Sequence, residues 1–192
     1  MMNPLIRTLA PSERPAYEAH LLRLDANARR LRFGYFIDDD AVRRHIAGLN
    51  PHTDRILGVV EAGCVAAAVH IVRAKQQPDA PGGAVEFAFS VDADRRGQGL
   101  GRRLFDQALA WSRNRGMREV CIYFLTDNHA MRHLARRIGM TISCEAGECL
   151  GTLTLAPPTP FSFVREVAAE QWAIWEEQRR RRPRLLVLRP AA

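Results

Sequence analysis

Val85 to Arg103, V-E-F-A-F-S-V-D-A-D-R-R-G-Q-G-L-G-R-R, decides how this chain folds. Its first seven residues are mostly apolar and rich in Val and Phe, which predicts a central strand, and Asp92-Ala93-Asp94 predicts the exit turn. Gly97, Gly99 and Gly101 follow at alternate positions. They run into Leu104, Phe105, Ala108, Leu109 and Trp111, an apolar stripe at helical spacing. The glycines therefore sit where a helix begins.

That location favours an anion. The first four amides of a helix have no internal partner, and the helix dipole adds partial positive charge there. Glycine permits backbone conformations closed to other residues and lets a ligand approach the amides closely. Arg95, Arg96, Arg102 and Arg103 add side-chain charge on both sides. A Walker loop fails on spacing: counted from Gly97, Arg102 stands at the second glycine and no lysine follows. A dinucleotide fingerprint fails too, because Arg102 occupies its last glycine and the loop lies mid-chain behind an apparent hairpin.

What fits is R-x-x-G-x-G, here Arg96, Gly99 and Gly101, which resembles the pyrophosphate loop of the GNAT acyltransferase superfamily. The family's N-x-x-[AM]-x-x-L-x-x-x-x-G-[FM] helix is matched by Asn128, Met131, Leu134, Gly139 and Met140. The resemblance covers roughly Leu5 to Leu155. It implies an α/β fold: a central mixed, mostly antiparallel sheet with a splayed parallel pair, flanked by helices. It also implies acetyl-CoA as cosubstrate. Amides from Gly97 through Gln98, Gly99, Leu100 and Gly101 to Arg102 would hold the pyrophosphate, and the backbone of Phe89, Ser90 and Val91 would pair with the pantetheine arm. Asn128 would contact the cofactor or cap its own helix.

Composition sets the bounds. The 192 residues suit one domain, expected over 1–155, followed by a Pro-rich linker, a C-terminal helix and a basic tail over 156–192. No stretch is long and apolar enough to span a bilayer and no leader is evident, which predicts a cytoplasmic protein with no membrane partner. The formal charge is +7, and among 28 basic residues only Lys75 is lysine. This arginine excess suits a phosphate-rich cofactor or an acidic partner, and skewed codon usage would produce it equally well. Nothing resembles an aromatic-interleaved basic stripe or a nucleic-acid-binding signature. Cys64, Cys121, Cys144 and Cys149 form no C-x-x-C pair, which predicts free, mostly buried thiols and no metal, with a Cys144–Cys149 pair across a hairpin as the lesser alternative.

Along the chain, Leu5 to Leu9 reads as a strand. A helix capped by Ser12 follows, with Tyr17, Leu21, Leu22 and Leu24 on its apolar face. Arg29 to Phe33 reads as a bridge to a second helix, whose start is capped by Asp38, Asp39 and Asp40. Arg55 to Glu61 and Cys64 to Ala74 flank Ala62-Gly63 as a hairpin. Arg118 to Leu125 reads as a strand parallel to the first, Asp127-Asn128 cap a helix closed by Gly139, and Met140 to Cys144 pairs with Cys149 to Leu155. A final helix, about 161–182, presents Val164, Val167, Ala168, Trp172 and Trp175 to the domain or to a second subunit, and Arg184 to Arg189 forms a short strand.

Acyl transfer needs a base for the amine and an acid for the departing thiolate. Alternation places Glu86, Ala88 and Ser90 on one strand face and Val85, Phe87, Phe89 and Val91 on the other. Glu86, desolvated in so apolar a strand, is the candidate base, and a salt bridge to a neighbouring arginine is its structural alternative. Many family members place a tyrosine acid where this chain has Ala135, so Tyr123, His129, His133 or solvent must serve, with Tyr123 taken as the catalytic acid. Two functions are compatible: an N-acetyltransferase moving an acetyl group from acetyl-CoA to a primary amine by direct transfer, and a non-catalytic acyl-CoA sensor. Likeness to bacterial protein-lysine acetyltransferases implies a lysine or other primary amine as acceptor.

Overall fold

The computed structural model describes residues 5–74 and 83–159, and within 162–179 residues 162–164, 166–168, 171, 172, 175 and 179. Among them, seven strands form one sheet: β1 Ile6–Thr8, β2 Arg55–Glu61, β3 Cys64–Arg73, β4 Ala84–Val91, β5 Glu119–Leu125, β6 Thr141–Glu145 and β7 Glu148–Thr154. Their order is β1-β2-β3-β4-β5-β7-β6, antiparallel throughout except for the parallel pair β4 and β5. The helices are α1 Arg14–Arg23, α2 Ala26–Phe33, α3 Asp39–Ala47, α4 Leu100–Asn114 and α5 His129–Ile138. The mixed sheet follows from chain order, since the α4 crossover must return its chain parallel to β4.

Two apolar layers form on the sheet. Leu104, Phe105 and Ala108 of α4 and Ala135 of α5 bury against Val85, Phe87, Val120 and Ile122 on one face. Tyr17 and Leu21 of α1 and Val42 and Ile46 of α3 bury against Ile56 and Ala68 on the other. Turn chemistry fixes the hairpins: Ala62 and Gly63 join β2 to β3, and Ala146 and Gly147 join β6 to β7, all four with positive φ.

Several readings need correction. Ser12 caps nothing; a 3₁₀ turn over Pro11–Glu13 precedes α1, and Glu13 Oε2 accepts from the Ala10 amide at 2.9 Å. The supposed bridge at Arg29 to Phe33 belongs to α2, started by Asp25 accepting from the Ala28 amide and closed by Gly34 at φ 85°. That helix carries too few apolar side chains to show a stripe; polar contacts fasten it, among them Arg29 to Asp39 at 2.6 Å. Cys144 and Cys149 are disulfide-bonded rather than free, because the two-residue turn places them directly opposite at Cα–Cα 4.0 Å. Cys64 is exposed and Cys121 buried.

After β7 the described residues beyond Thr159 are helical. Polar contacts dock them on the end of α4: Asn114 Nδ2 donates to the Ser162 carbonyl at 3.1 Å, and Arg115 pairs with Glu166 at 2.6 Å. Val164, Val167, Trp172 and Trp175 are exposed, so of the two placements expected for this apolar face, on the domain or on a second subunit, the first is not found. The readings for 180–182 and 184–189, and most of the loop at 76–83, lie outside the described residues.

Candidate functional site

The parallel pairing of β4 and β5 runs only from Ala84↔Glu119 to Glu86↔Cys121, and β4 continues to Val91. Past Glu86 the two strands part and leave a slot in the sheet. Antiparallel pairing sets which backbone groups face it, because alternate residues turn their N–H and C=O to the same neighbour. Asp92 donates to the Ala66 carbonyl and Ala74 to the Ala84 carbonyl, so the even-numbered residues of β4 turn to β3. Phe87, Phe89 and Val91 therefore turn theirs to the slot, and Ser90 does not. Of the three backbones expected to meet the pantetheine arm, Ser90's is committed to β3.

The glycine loop lies at the same end. Gly97 and Gly99 both have φ 75°, a conformation that strains any residue with a side chain. Gly99 is the N-cap of α4 and offers its amides no side-chain cap. At Gly101 nothing among the described residues demands glycine: an added Cβ would meet Leu134 Cδ2 at an ordinary 3.7 Å. Its missing Cβ keeps space open beside the first amides of the helix. A phosphate fits this cradle, both in donor chemistry and in room. Gln98 donates to the Asp94 carbonyl at 3.0 Å, Arg96 lies 3.4 Å from Asp25, and Arg102 pairs along its own helix with Asp106 at 2.9 Å.

On the sheet face covered by α1 and α2, Glu86 is half-buried and stands in register with Cys121. Tyr123, two residues further along β5, shares that face. Burial, with Glu86 a lesser cause, raises the Tyr123 phenol, and burial pushes the Cys121 thiol up to about 12. The structure thus brings Glu86 and Tyr123 into one electrostatic neighbourhood. His129 and His133 are exposed on α5, Ala135 is fully buried, and Asn128 Oδ1 caps α5 by accepting from the Met131 amide at 3.1 Å.

Local pattern gave no sign of three further groups. His20 of α1 is fully buried; its Nε2 lies 2.8 Å from Ser90 Oγ and its Nδ1 2.8 Å from Asp92 Oδ1. Arg23 holds the other Asp92 oxygen at 2.8 Å. α2 spans the slot, with Asp25 facing Arg96 at one end and Arg30 paired with Asp127 at the other. These contacts join residues about 70 to 100 positions apart, beyond the reach of sequence spacing. A separate cavity of about 660 Å³, lined by Ile6, Leu57, Gln107, Trp111 and Arg113 among others, lies along α4 beside β1 and β2 and is not this slot. Among the described residues no three His, Cys, Asp or Glu cluster as metal ligands, and no helix is long and apolar enough to cross a membrane.

Residues 10–140 match the model of the acetyltransferase (GNAT) family. The chain belongs to that family. The structure is similar to the GNAT domain of S. lividans PAT, with TM-score 0.67 and 20% identity over 78% of this chain and 89% of that one. It is similar to an N-acetyltransferase from Staphylococcus aureus Mu50, TM-score 0.65 and 17% identity over 81% and 100%. A third similar structure is yncA from Salmonella typhimurium with its cofactor acetyl-CoA, TM-score 0.58 and 18% identity over 83% and 99%. In sequence, 55 residues are 42% identical to mycothiol acetyltransferase of Geodermatophilus obscurus, a match spanning 29% of this chain and 18% of that protein. These likenesses show a shared fold, and they leave the acceptor open.

Proposed function

We propose that this GNAT chain is an acetyl-CoA-dependent N-acetyltransferase that acetylates a primary amine, on a small molecule or a protein lysine, by direct transfer. The observation that carries the reading is the parting of β4 from β5 beside a helix N-terminus whose Gly97 and Gly99 adopt φ 75°. Domain 1–155 would hold the reaction, and 156–192 would be an appendage to it.

Acetyl-CoA supplies a thioester, whose acyl carbon is open to a neutral amine and whose thiolate departs. Amides from Gly97 to Arg102 would receive the pyrophosphate with Arg96 beside them, and the backbones of Phe89 and Val91 would take the pantetheine amides. Asn128 would shape the α5 end of the slot through its cap. Glu86 would take a proton from the attacking amine. Tyr123 would hold a proton for the thiolate, since its raised phenol stays protonated at neutral pH.

The test is calorimetric titration with acetyl-CoA, paired with an assay of free thiol release across a panel of primary amines and lysine peptides. Glu86→Gln should bind acetyl-CoA as the parent does and lose about 10²- to 10⁴-fold in turnover. Unchanged turnover removes Glu86 as base. Binding without turnover on any amine would favour a non-catalytic acyl-CoA sensor, and no binding rejects both readings.

A further inference from the structure

We propose that Ser90, His20 and Asp92 form a nucleophilic relay that gives the slot a second activity, hydrolysis of acyl thioesters and activated acyl esters through an acyl group carried on Ser90 Oγ. The three residues come from the end of β4, the buried side of α1 and the turn that leaves β4, and they meet at 2.8 Å on each side of the imidazole.

Proton placement follows from the partners. Arg23 pairs with the Asp92 side chain at 2.8 Å, and a carboxylate only accepts hydrogen bonds. With the ring proton on Nδ1, on the side of Asp92, the Nε2 lone pair is left to accept from the Ser90 hydroxyl. That polarity makes a serine nucleophilic: the base faces the hydroxyl and the acid orients the base. Burial is the leading cause of the lowered His20 pKa, and it keeps the ring neutral, with a lone pair free to accept a proton, at neutral pH. The Nδ1–Oδ1 contact is short but bent, so the N–H does not lie along it. Relays of this kind align when substrate binds.

Position supplies the remaining parts. Ser90 lies beyond Glu86↔Cys121, where β4 and β5 have separated, and shares a face with Glu86 across the small Ala88. The amide of Val91, next in sequence to the nucleophile, turns to the slot; with the Val91 carbonyl left to the pantetheine arm, its N–H can hold the substrate's carbonyl oxygen as charge develops on it. In the first step Ser90 Oγ attacks the acyl carbon and its proton passes to His20 Nε2. The carbon–sulfur bond breaks, that proton goes to the departing thiolate, and the acyl ester remains on Ser90. Water then attacks the ester and gives a proton to Nε2. The carbon–Oγ bond breaks, the proton returns to Oγ, and a carboxylate leaves with one proton released.

For thioesters of coenzyme A the inference rests on the proposed cofactor slot, so the experiment also uses a reagent that needs no coenzyme. The full chain is mixed with p-nitrophenyl acetate or with acetyl-CoA, without amine, quenched in acid and read by intact mass and peptide mapping. One acetyl group on Ser90 is expected, with a burst of p-nitrophenolate before steady turnover. Ser90→Ala should lose adduct and burst, Ser90→Cys should trap a thioester adduct, and Asp92→Asn should slow acylation by about 10²- to 10⁴-fold. An adduct with the aryl ester alone upholds the relay and counts against the cofactor reading. No adduct with either reagent, an adduct elsewhere, or an undiminished burst in Ser90→Ala overturns the proposal.

Discussion

Strand β4 presents two faces built for opposite ends. Toward α4, Phe87 and Phe89 close on Phe105, with ring centroids 5.5 Å apart at 72° and 5.2 Å apart at 12°. Toward α1 and α2, Glu86, Ala88 and Ser90 face Cys121, Tyr123 and His20. One residue of alternation separates the dry face from the polar one. The aromatic side holds the strand rigidly, and rigidity on that side lets a few polar groups on the other keep fixed places. Anchoring and chemistry thus share a strand without sharing a surface.

The largest effect should come from the dry side. Phe105 is fully buried, and Phe105→Ala should cost about 3–5 kcal/mol through lost burial and a cavity. Ser90→Ala, which removes one hydrogen bond on the polar side, should cost about 1 kcal/mol. Urea denaturation of both variants checks the division. If Ser90→Ala proves the more destabilising, the polar face is carrying the fold and the contrast is wrong.

Acid should separate the faces next, because His20 of α1, His45 of α3 and His70 of β3 lie on the side of the sheet that α1 and α3 cover. Burial holds His45 at about 4 and lowers His20 and His70 below their ordinary value of 6.5. Between pH 6.5 and those lowered values the unfolded chain binds protons that the folded chain does not, so stability falls as pH falls. Each histidine adds a slope approaching about 1.4 kcal/mol per pH unit. Asp54, held at about 2 chiefly by His70, adds stability that is lost below the ordinary carboxylate range near 3.8. Thermal unfolding from pH 7 to 5 should show a falling Tm that flattens in His45→Phe. A flat profile in the parent would mean these histidines titrate normally.

Much of the frame was legible because it is local. Alternation sorted Phe87 from Glu86, two-residue turns fixed both hairpins, and Asn128 and Gly139 bracketed α5. α2 escaped because Asn27, Arg29, Arg30 and Arg32 leave no apolar stripe; its place is set by Asp39, Asp127 and the Arg96 loop, all distant in sequence. The same limit hid His20, which reads as one more helical residue until folding brings it to Ser90 and Asp92. The Ala146-Gly147 turn is legible in the sequence, and the Cys144–Cys149 bond that it makes stands in place of the free thiols expected there.

The smallest expected effect on stability is the most telling for the loop that follows β4. Gly99→Ala places a side chain at φ 75° and should cost about 1–2 kcal/mol, with weaker acetyl-CoA binding as a consequence of local distortion. Gly101→Ala differs: its site lies inside α4, its new Cβ meets Leu134 at 3.7 Å, and alanine is the better helix former by up to about 1 kcal/mol. That variant should be as stable as the parent or slightly more so. If the open space beside Gly101 is reserved for the pyrophosphate, acetyl-CoA affinity should fall about tenfold or more, the worth of one charge-assisted hydrogen bond. A gain in stability with a loss in affinity cannot come from a damaged fold. Unchanged affinity would mean that the glycine at 101 is incidental and that any phosphate is held further back, at Gly97 and Gly99.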